Sequence, residues 1–587
     1  MRPWRWPRPS VENFRPLLRP EEYRDAIDEG YAAVTAGLKC YDLKRNHILD
    51  HLKPMNNGTG EGSNPMDPSA ERQFVTLLVI GGIVALVFYR RRWQPSGTAF
   101  GMASWMREKM LRAAGMLAGK GLVLGRTFKG ALICLPHFCH VLVCGGTGSG
   151  KGVSIIIPNL LTWFRSSIFC FDTKGDLFET TAGPRAARGE RILRLAPFND
   201  GIDAFNPLDA IPSDSPMLVD SARAMAEALV VRQGTESDPH WNNKSVQVIC
   251  AVLVLVLLLL KDEERNLNSV QEIVSDPDML KAAANKLQGL GGIPARLGNQ
   301  LKTLFDKETS ALTKEGAGVL STVTRHLSFL DSDLVAKAVA TSTFDPAVLK
   351  TPGTTLFLQI PADQLDAQKG LARCWISTLV RAIGAVGNER QSEVLFLLDE
   401  ASALGSLPAL EEALVRGRSA GVRLLLTYQS DSQITTAFKD KPSLLYDNCS
   451  TQIYLGAASS YETAERLSKT LGDWTQLVEN YGENDSRSWQ AGGASQQGSG
   501  QVSRGNSVNY SVTGRALLRP EEIMTLNNDY VIVLQRGMAP ILAERVKWYQ
   551  DREFNPAAPI RRRTYSLRWW LLLAVALGLI MCSLAGR

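Results

Sequence analysis

The stretch from Gly145 to Gly152 constrains the fold more than any other part of the sequence. It lies between the apolar runs 140–144 and 153–157, an order that predicts a strand, a glycine loop and a helix. The backbone N–H groups of such a loop and the positive end of the following helix can surround phosphate groups. The predicted phosphate-binding loop comprises Gly145, Gly146, Thr147, Gly148, Ser149, Gly150, Lys151 and Gly152.

Two positions of this loop determine its chemistry. Lys151 supplies a positive charge for the β- and γ-phosphates of a nucleotide. Position 152 holds glycine, whereas such loops usually have a serine or threonine there that ligates Mg²⁺. A flexible glycine turn is the alternative interpretation, but the glycine-lysine pair stands in register after an apolar strand, and this favours phosphate binding.

The composition is that of a globular protein with some membrane segment. Its 587 residues, 45% hydrophobic and 21% charged, are enough for several domains. The net charge of +6 suits an anionic partner without requiring one. Nine cysteines without a CxxC pair, together with six histidines, argue against zinc sites and a disulfide framework and fit a reducing compartment.

Two apolar segments predict membrane anchors. Residues 73–93 include about 17 uncharged residues before an arginine cluster at 90–92, near the shortest length that spans a bilayer. The cluster favours a membrane helix over a core helix and puts the following residues in the cytoplasm. Residues 566–584 predict a second span, whereas 1–72 carry no assignable chemistry. The apolar run 246–260 is short and flanked by charges, which favours a core helix over a membrane element.

Short apolar strands alternate with helices in 94–216 and again in 346–560. This alternation predicts one α/β nucleotide-binding domain in two parts, with a parallel sheet and helices on both faces. Residues 217–345 read as helical and predict an all-α insertion domain. An amphipathic helix is expected at 105–117, before glycine-rich turns, and the segment 486–513, rich in Gly, Ser, Gln and Asn, predicts a mobile or disordered insert.

Two carboxylates follow the buried strand predicted at 394–398. Asp399 is placed to join the Mg²⁺ shell, and Glu400 to orient or deprotonate an attacking water. This pair alone is a weak signal, but downstream of the phosphate loop it indicates hydrolysis of a nucleoside triphosphate. Gln429, at the end of the strand predicted at 422–427, is placed to sense the γ-phosphate or the water.

The glycine at position 152 raises the question of which group holds the metal. We expect Asp399 to carry Mg²⁺ through water. The hydroxyls of Thr147, Ser149 and Ser154 are expected to contribute little to its ligation.

A combination of motifs identifies a family resemblance. They are GSGKGV at 148–153, IPNLL at 157–161, FDTKGD at 171–176, AFNPL at 204–208, LLDE at 397–400, LGSLP at 404–408, YQS at 428–430, LSKTLG at 467–472 and LRPEEI at 518–523. Together they resemble the type IV secretion coupling proteins, the TraG/TraD group of conjugation ATPases, over roughly residues 115–550. This branch commonly has Gly-Lys-Gly in the loop, as here. It usually has Asp-Pro-Lys-Gly-Glu where this sequence has Asp172-Thr173-Lys174-Gly175-Asp176.

The resemblance implies a RecA-like domain with an all-α insertion, bound ATP and Mg²⁺, and a membrane-anchored ring, expected to be a hexamer. In such rings an arginine of the neighbouring subunit completes the nucleotide site. Arg418 matches that position best, with Arg416 as the fallback, although a solvated helix end would also explain both arginines. The implied location is the bacterial inner membrane with a cytoplasmic ATPase core. The implied partners are type IV channel components and relaxase-bound DNA or secreted proteins.

The functional hypothesis is therefore a membrane-anchored ATPase that drives substrates through a type IV secretion or conjugation channel. One alternative is a receptor and docking platform in which the helical insertion recognises cargo and nucleotide sets only the assembly state. Another is a chromosome-type DNA translocase, against which the motifs at 172–176 and 467–472 argue. No helix–turn–helix pattern stands out in the sequence, so any DNA contact is expected to lack sequence specificity.

Overall fold

The computed structural model describes residues 99–164, 166–232, 239–385, 392–439, 441–489 and 500–558. The chain forms two compact units. The first is Met1–Trp105 with Lys469–Leu517, and the second is Met106–Ser468 with Leu518–Arg587. The N-terminal region 1–72 and the membrane anchors predicted at 73–93 and 566–584 lie outside the described residues.

The elements are numbered in chain order. The strands are β1 Leu122–Arg126, β2 Leu132–Leu135, β3 His140–Cys144, β4 Ser167–Asp172, β5 Arg191–Leu195, β6 Thr354–Gln359, β7 Val394–Leu398, β8 Val422–Tyr428, β9 Cys449–Leu455, β10 Asp473–Trp489, β11 Gly500–Ala516, β12 Tyr530–Gln535 and β13 Ile541–Glu544. The α-helices are α1 Glu108–Ala113, α2 Ile157–Thr162, α3 Asp176–Ala186, α4 Leu218–Leu229, α5 His240–Leu259, α6 Leu267–Ser275, α7 Pro277–Gly289, α8 Gly292–Lys302, α9 Lys314–Leu327, α10 Asp333–Ala338, α11 Lys369–Ala385, α12 Pro408–Arg416, α13 Asp431–Phe438, α14 Ser443–Asn448, α15 Tyr461–Leu471 and α16 Pro520–Met524. A π-helix, Gly152–Ile156, precedes α2.

The second unit contains one sheet, with strand order β2-β1-β13-β12-β9-β3-β8-β7-β4-β6-β5. From β9 to β5 neighbouring strands are parallel, as the alternation of strands and helices predicted. From β9 outward to β2 they are antiparallel, so the prediction of a purely parallel sheet is wrong for this half. The antiparallel part joins strands from both ends of the described chain, and their pairing leaves no local sequence pattern.

The segment before the phosphate loop also differs from its prediction. The helix expected at 105–117 is confined to Glu108–Ala113. Gly115 has φ 71°, a left-handed conformation that ends the helix and that glycine adopts without strain. Glycine-rich turns were expected after this helix. In the structure this stretch includes two strands, β1 and β2, which form an antiparallel hairpin.

The central strands are buried on both faces, and their alternate residues enter two hydrophobic clusters. On β3, Leu142 joins one cluster, while Val141 and Val143 join the other. Residues of α2 belong to the second cluster, and residues of α5 and α11 to the first. Helices therefore cover both faces of the sheet, as predicted, and this explains why the parallel strands read as continuous apolar runs.

The region predicted as an all-α insertion is helical from α4 to α10. Its central helix, His240–Leu259, is long and apolar enough to cross a membrane, but 72% of its most apolar window is buried inside the protein. The interpretation of 246–260 as a core helix is therefore confirmed. The first of the two hydrophobic clusters contains both Val252 of α5 and Phe169 of β4. The helical region and the sheet therefore share one core.

A buried arginine on α11 connects this helical region to the segment after Glu400. Arg373 is 2% exposed and donates to the carbonyl oxygens of Ala228 at 2.9 Å, Leu404 at 2.7 Å and Ser406 at 2.6 Å. Burial lowers the pKa of its guanidinium to about 10. Removing this side chain would leave buried carbonyls without donors, which costs more free energy than losing an exposed hydrogen bond.

The first unit contains the antiparallel hairpin of β10 and β11, paired from Asp473 with Ala516 to Trp489 with Gly500. Residues 486–489 and 500–513 of the segment predicted as a mobile or disordered insert are strand, which differs from the disordered alternative, and mobility of the insert stays a prediction. Composition suggested disorder because the segment is polar. Here β10 and β11 pair the backbone groups on their facing edges with each other, which composition does not report.

Candidate nucleotide site

The site lies at the carboxyl edge of the parallel strands. The phosphate loop follows β3, the carboxylates follow β7, and Gln429 follows β8, which lies between β3 and β7. Because parallel strands end at the same edge, residues far apart in sequence converge there. This edge is where ligands bind in α/β folds of this kind.

The loop has the conformation that a phosphate cradle requires. Gly148 has φ 77° and Gly150 has φ 86°, both in the left-handed region that favours glycine. Lys151 Nζ donates to the carbonyl oxygens of Gly145 at 2.6 Å and Gly146 at 3.4 Å. Burial lowers the pKa of Lys151, and the nearby carboxylates of Glu400 and Asp399 oppose that shift. The predicted phosphate-binding residues are therefore contiguous in space, and two carboxylates act electrostatically on their lysine.

A chain of hydrogen bonds joins the loop to the carboxylate after β7. Thr147 Oγ1 donates to Gln429 Oε1 at 3.1 Å, and Gln429 Nε2 donates to Glu400 Oε1 at 3.2 Å. Ser402 Oγ also donates to Glu400 Oε1, at 3.0 Å. The side chain of Gln429 thus links the first half of the loop to the predicted general base. A change at either end can be transmitted to the other through this amide.

Asp399 is more buried than Glu400. It is 8% exposed, and its carbonyl oxygen accepts a hydrogen bond of 2.6 Å from Thr427 Oγ1. Burial raises the pKa of the Asp399 carboxyl to about 7, an effect that Lys174 opposes and Glu400 adds to. A cation beside Asp399 would favour its charged form.

Lys174 belongs to a turn that an aspartate holds in place. Asp172 Oδ1 accepts from the backbone N–H groups of Lys174 at 3.2 Å and Gly175 at 2.7 Å. Gln359 Nε2 of β6 donates to Asp172 Oδ2 at 3.3 Å. The motif at 172–176 was identified from the sequence, but its position beside Asp399 depends on the pairing of β4 with β7.

The structure does not bring Arg418 or Arg416 to the phosphate loop of the same chain. Both are exposed. Arg416 is the last residue of α12, and Arg418 lies in the turn before β8. The seven residues of β8 separate this turn from the carboxyl edge, a distance of roughly 20 Å. Their predicted role can therefore be filled only in the site of another copy of the chain, and it stays a prediction.

A partly buried ion pair beside Gln429 was not predicted from the sequence. Arg466 contacts Asp431 through two hydrogen bonds, from Nε at 2.5 Å and from Nη2 at 2.9 Å. Its guanidinium lies 4.0 Å from the ring centroid of Tyr446, and Nη2 donates to Tyr454 Oη at 2.7 Å. Asp431 is two residues beyond Gln429, so this cluster fixes the chain that carries the amide.

The described part of the chain contains no cluster of three or more His, Cys, Asp or Glu side chains that could hold a metal by themselves. Two of the hydroxyls considered as metal ligands, Ser149 Oγ and Ser154 Oγ, are buried without a hydrogen-bond partner. The third, that of Thr147, donates to Gln429. The expectation that Asp399 carries Mg²⁺ through water stays a prediction.

The fold and the loop define an α/β protein with a phosphate-binding loop at the carboxyl edge of its parallel strands. The chain belongs to the family described as type IV secretory system conjugative DNA transfer, whose model matches residues 104–565. The family resemblance inferred from the motifs is therefore confirmed.

Individual relatives are similar over most of this chain. VirD4 of Agrobacterium fabrum (strain C58 / ATCC 33970) is 26% identical over 475 residues, which cover 77% of this chain and 66% of VirD4. The chain thus spans slightly less than two thirds of that relative. A conjugal transfer protein TraG of Escherichia coli is 26% identical, and the match covers 83% of this chain and 82% of TraG.

Solved structures show the same fold. The bacterial conjugative coupling protein TrwB without its first 70 residues, in an unbound form, has a TM-score of 0.53 and 18% identity, with 77% of this chain and 96% of that chain covered. TrwB in complex with the non-hydrolysable ATP analogue ADPNP also has a TM-score of 0.53 and 18% identity, and covers 76% of this chain. At this identity the likeness establishes the fold alone.

Proposed function

We propose that this protein is a membrane-anchored ATPase that couples ATP hydrolysis to the transfer of substrates through a type IV secretion or conjugation channel. The phosphate loop binds the nucleotide, Glu400 activates water and Gln429 senses the reaction. Family membership supports the class of process. The site residues support the chemistry, which requires little beyond positioning and electrostatic stabilisation.

The single observation that carries the proposal is the hydrogen-bonded chain Thr147–Gln429–Glu400. A loop that only bound nucleotide would need no amide reaching from it to a carboxylate on another strand. With this bridge, the conformation of the loop and the position of the general base depend on each other. Such dependence suits a protein that hydrolyses its nucleotide and changes conformation as a result.

The residues present fit ATP with Mg²⁺. The left-handed Gly148 and Gly150 give the loop its cradle shape, and Lys151 adds a positive charge. Asp399 is the buried carboxylate that would hold the metal. When bound, Mg²⁺ neutralises charge on the phosphate oxygens and orients them. The chain's own contribution is to bind the phosphates, to place a buried carboxylate at Asp399 and to hold a proton acceptor at Glu400.

The role proposed for Arg418 requires a second copy of the chain. Arg418 is exposed at the opposite end of β8 from the loop, so it is available to a neighbouring subunit. In a ring, expected to be a hexamer, it would stabilise charge that develops on the γ-phosphate of that neighbour. Arg416, two residues earlier and also exposed, is the fallback.

The proposed location is the bacterial inner membrane, with residues 73–93 and 566–584 as anchors and the ATPase core in the cytoplasm. The proposed partners are the channel components and a relaxase–DNA complex or secreted proteins. The net charge of +6 suits contact with the phosphate backbone of DNA without sequence specificity.

The proposal is tested by ATP turnover of the full-length protein in detergent, with and without single-stranded DNA. We expect Mg²⁺-dependent hydrolysis that DNA stimulates. Raising salt from about 50 to 200 mM should reduce the stimulation steeply, because phosphate contacts release counterions. Basal hydrolysis in the absence of DNA should change much less over the same range.

The outcomes separate the candidate functions. Hydrolysis without any response to DNA would favour protein cargo over DNA. Tight ATP binding with no turnover, in the presence of DNA and of channel-containing membranes, would contradict the motor and favour the docking platform.

The glycine at position 152 gives a further prediction. A Cβ built there meets no atom within 4 Å, and Gly152 is not among the residues with left-handed φ. Gly152→Ala should therefore raise the free energy of unfolding by about 0.5–1 kcal/mol, because glycine loses more backbone freedom on folding. Denaturant titration measures this change.

Gly152→Ser tests the metal, with Gly152→Ala as its matched control. The serine hydroxyl stands where most phosphate loops have a Mg²⁺ ligand, so Gly152→Ser should lower the Mg²⁺ concentration needed for half-maximal nucleotide binding. The alanine variant should leave that concentration unchanged. Equal Mg²⁺ requirements in the serine and alanine variants would mean that the metal lies out of reach of position 152.

A further inference from the structure

An arginine from the far end of the chain contacts the phosphate loop. Arg545 directly follows β13, in the antiparallel part of the sheet, and its Nη1 donates to the carbonyl oxygen of Ser149 at 2.6 Å. Its backbone N–H donates to the carbonyl oxygen of Asp529 at 2.8 Å. The side chain is 14% exposed. The contact is therefore a largely buried, charge-assisted hydrogen bond from a strand end to the loop.

The same guanidinium fills the space beside Gly150. A Cβ at Gly150 would lie 2.6 Å from Nη1 and 3.3 Å from Cζ of Arg545. Gly150 has φ 86°, so both its conformation and its surroundings require glycine. The glycine before Lys151 thus allows Arg545 to approach the loop backbone.

We infer that Arg545 is a positioning residue of the phosphate loop, which it holds ready for a polyphosphate by anchoring the Ser149 carbonyl. The carbonyl of Ser149 and the N–H of Gly150 belong to one planar trans peptide, so they point in opposite directions. Arg545 holds the carbonyl on its own side, and the N–H of Gly150 consequently points away from Arg545. Free rotation of this peptide, which the left-handed glycine would otherwise permit, is restricted.

In the described residues the guanidinium of Arg545 forms a long ion pair with Asp529. Its Nε is buried without a hydrogen-bond partner and lies 3.9 Å from Asp529 Oδ1. Lys547 Nζ contacts the same carboxylate oxygen more closely, at 2.8 Å. A positive charge therefore stands directly behind the loop, where it favours an anionic ligand on the other side.

This inference rests on the proposed nucleotide binding and is tested by affinity in the full-length protein. Arg545→Met keeps the apolar stem and removes the donors. We expect it to weaken ADP binding about tenfold, the loss typical of one hydrogen bond from a charged group. Inorganic pyrophosphate, used as a competitor without a base or sugar, should lose affinity by the same factor. A purely structural role elsewhere in the fold would not produce equal losses for the two ligands.

Arg536→Met is the matched control. Arg536 follows β12 and also donates from its guanidinium to a backbone carbonyl, that of Asp447, but not in the loop. Its substitution should leave both affinities unchanged. Adding guanidinium chloride at millimolar concentration should partly restore ADP binding to Arg545→Met, whereas urea at the same concentration should not.

The outcomes decide the inference separately from the proposed function. If the unmodified protein binds neither ADP nor pyrophosphate, the proposed function fails and this inference with it. If it binds both and Arg545→Met binds them equally well, only the inference is overturned. Where Arg545→Met does not fold, Arg545→Gln serves instead. Its side chain is uncharged and shorter, so the charge-assisted hydrogen bond to the Ser149 carbonyl is lost, and unchanged affinity for both ligands in that variant would contradict a role for the carbonyl contact.

Discussion

Glu400→Gln is expected to reduce ATP turnover by about 10²–10⁴-fold, the contribution typical of a general base. The substitution keeps the size of the side chain and its oxygen acceptor, so Gln429 Nε2 and Ser402 Oγ retain a partner. What is lost is the ability to accept a proton from water. Affinity for ATP should therefore stay within about twofold, since an amide can still accept those hydrogen bonds.

Glu411→Gln is the matched control for this change. Glu411 also accepts a hydroxyl hydrogen bond, from Ser406 Oγ at 3.1 Å, but it lies on α12 away from the phosphate loop. Steady-state turnover and equilibrium ATP binding should both be near normal in that variant. Turnover of Glu400→Gln within threefold of the unmodified protein would assign the general base to another residue. Loss of ATP binding in step with turnover would indicate a damaged site instead of a missing base.

The central half of the fold could be predicted because its strands are parallel and buried on both faces. Such strands read as short apolar runs, and the residues that follow them share one edge of the sheet. This is why Lys151, Asp399, Glu400 and Gln429 could be assigned from sequence to one region. Their hydrogen bonds could not, because the bridge from Thr147 to Glu400 depends on side-chain conformations that the sequence does not specify.

The other half of the sheet leaves no comparable pattern. β13 pairs with β1, and Arg545 contacts Ser149 across 396 positions of sequence. Nothing local distinguishes Arg545 from an exposed arginine at the end of a strand. The β10–β11 hairpin is a similar case, because its strands pair along their facing edges, while their polar composition resembles that of a loop. Pairing over long sequence distances is therefore the part of this fold that single-sequence patterns miss.

Lys151→Met is expected to weaken ATP and ADP binding by at least about 100-fold, because it removes a buried charge-assisted donor worth roughly 3 kcal/mol. Lys151 Nζ is held between the carbonyl oxygens of Gly145 and Gly146, inside the loop. Methionine preserves most of the stem but can neither donate to these carbonyls nor balance phosphate charge. Substrate transfer in cells should be lost together with nucleotide binding. Titration with a fluorescent ADP analogue and a transfer assay measure the two effects.

Lys350→Met separates this loss from general damage to the protein. Lys350 is 2% exposed, and its Nζ donates to the carbonyl oxygen of Ala420 at 2.7 Å, before β8 and therefore at the opposite edge of the sheet. Lys350→Met also removes a buried ammonium that donates to a backbone carbonyl. The substitution should therefore lower the free energy of unfolding. ADP affinity should nevertheless stay normal in that variant. Normal ADP binding and full substrate transfer by Lys151→Met would contradict two claims. They are the assignment of the loop as the nucleotide site and the proposal that the protein is an ATP-driven motor.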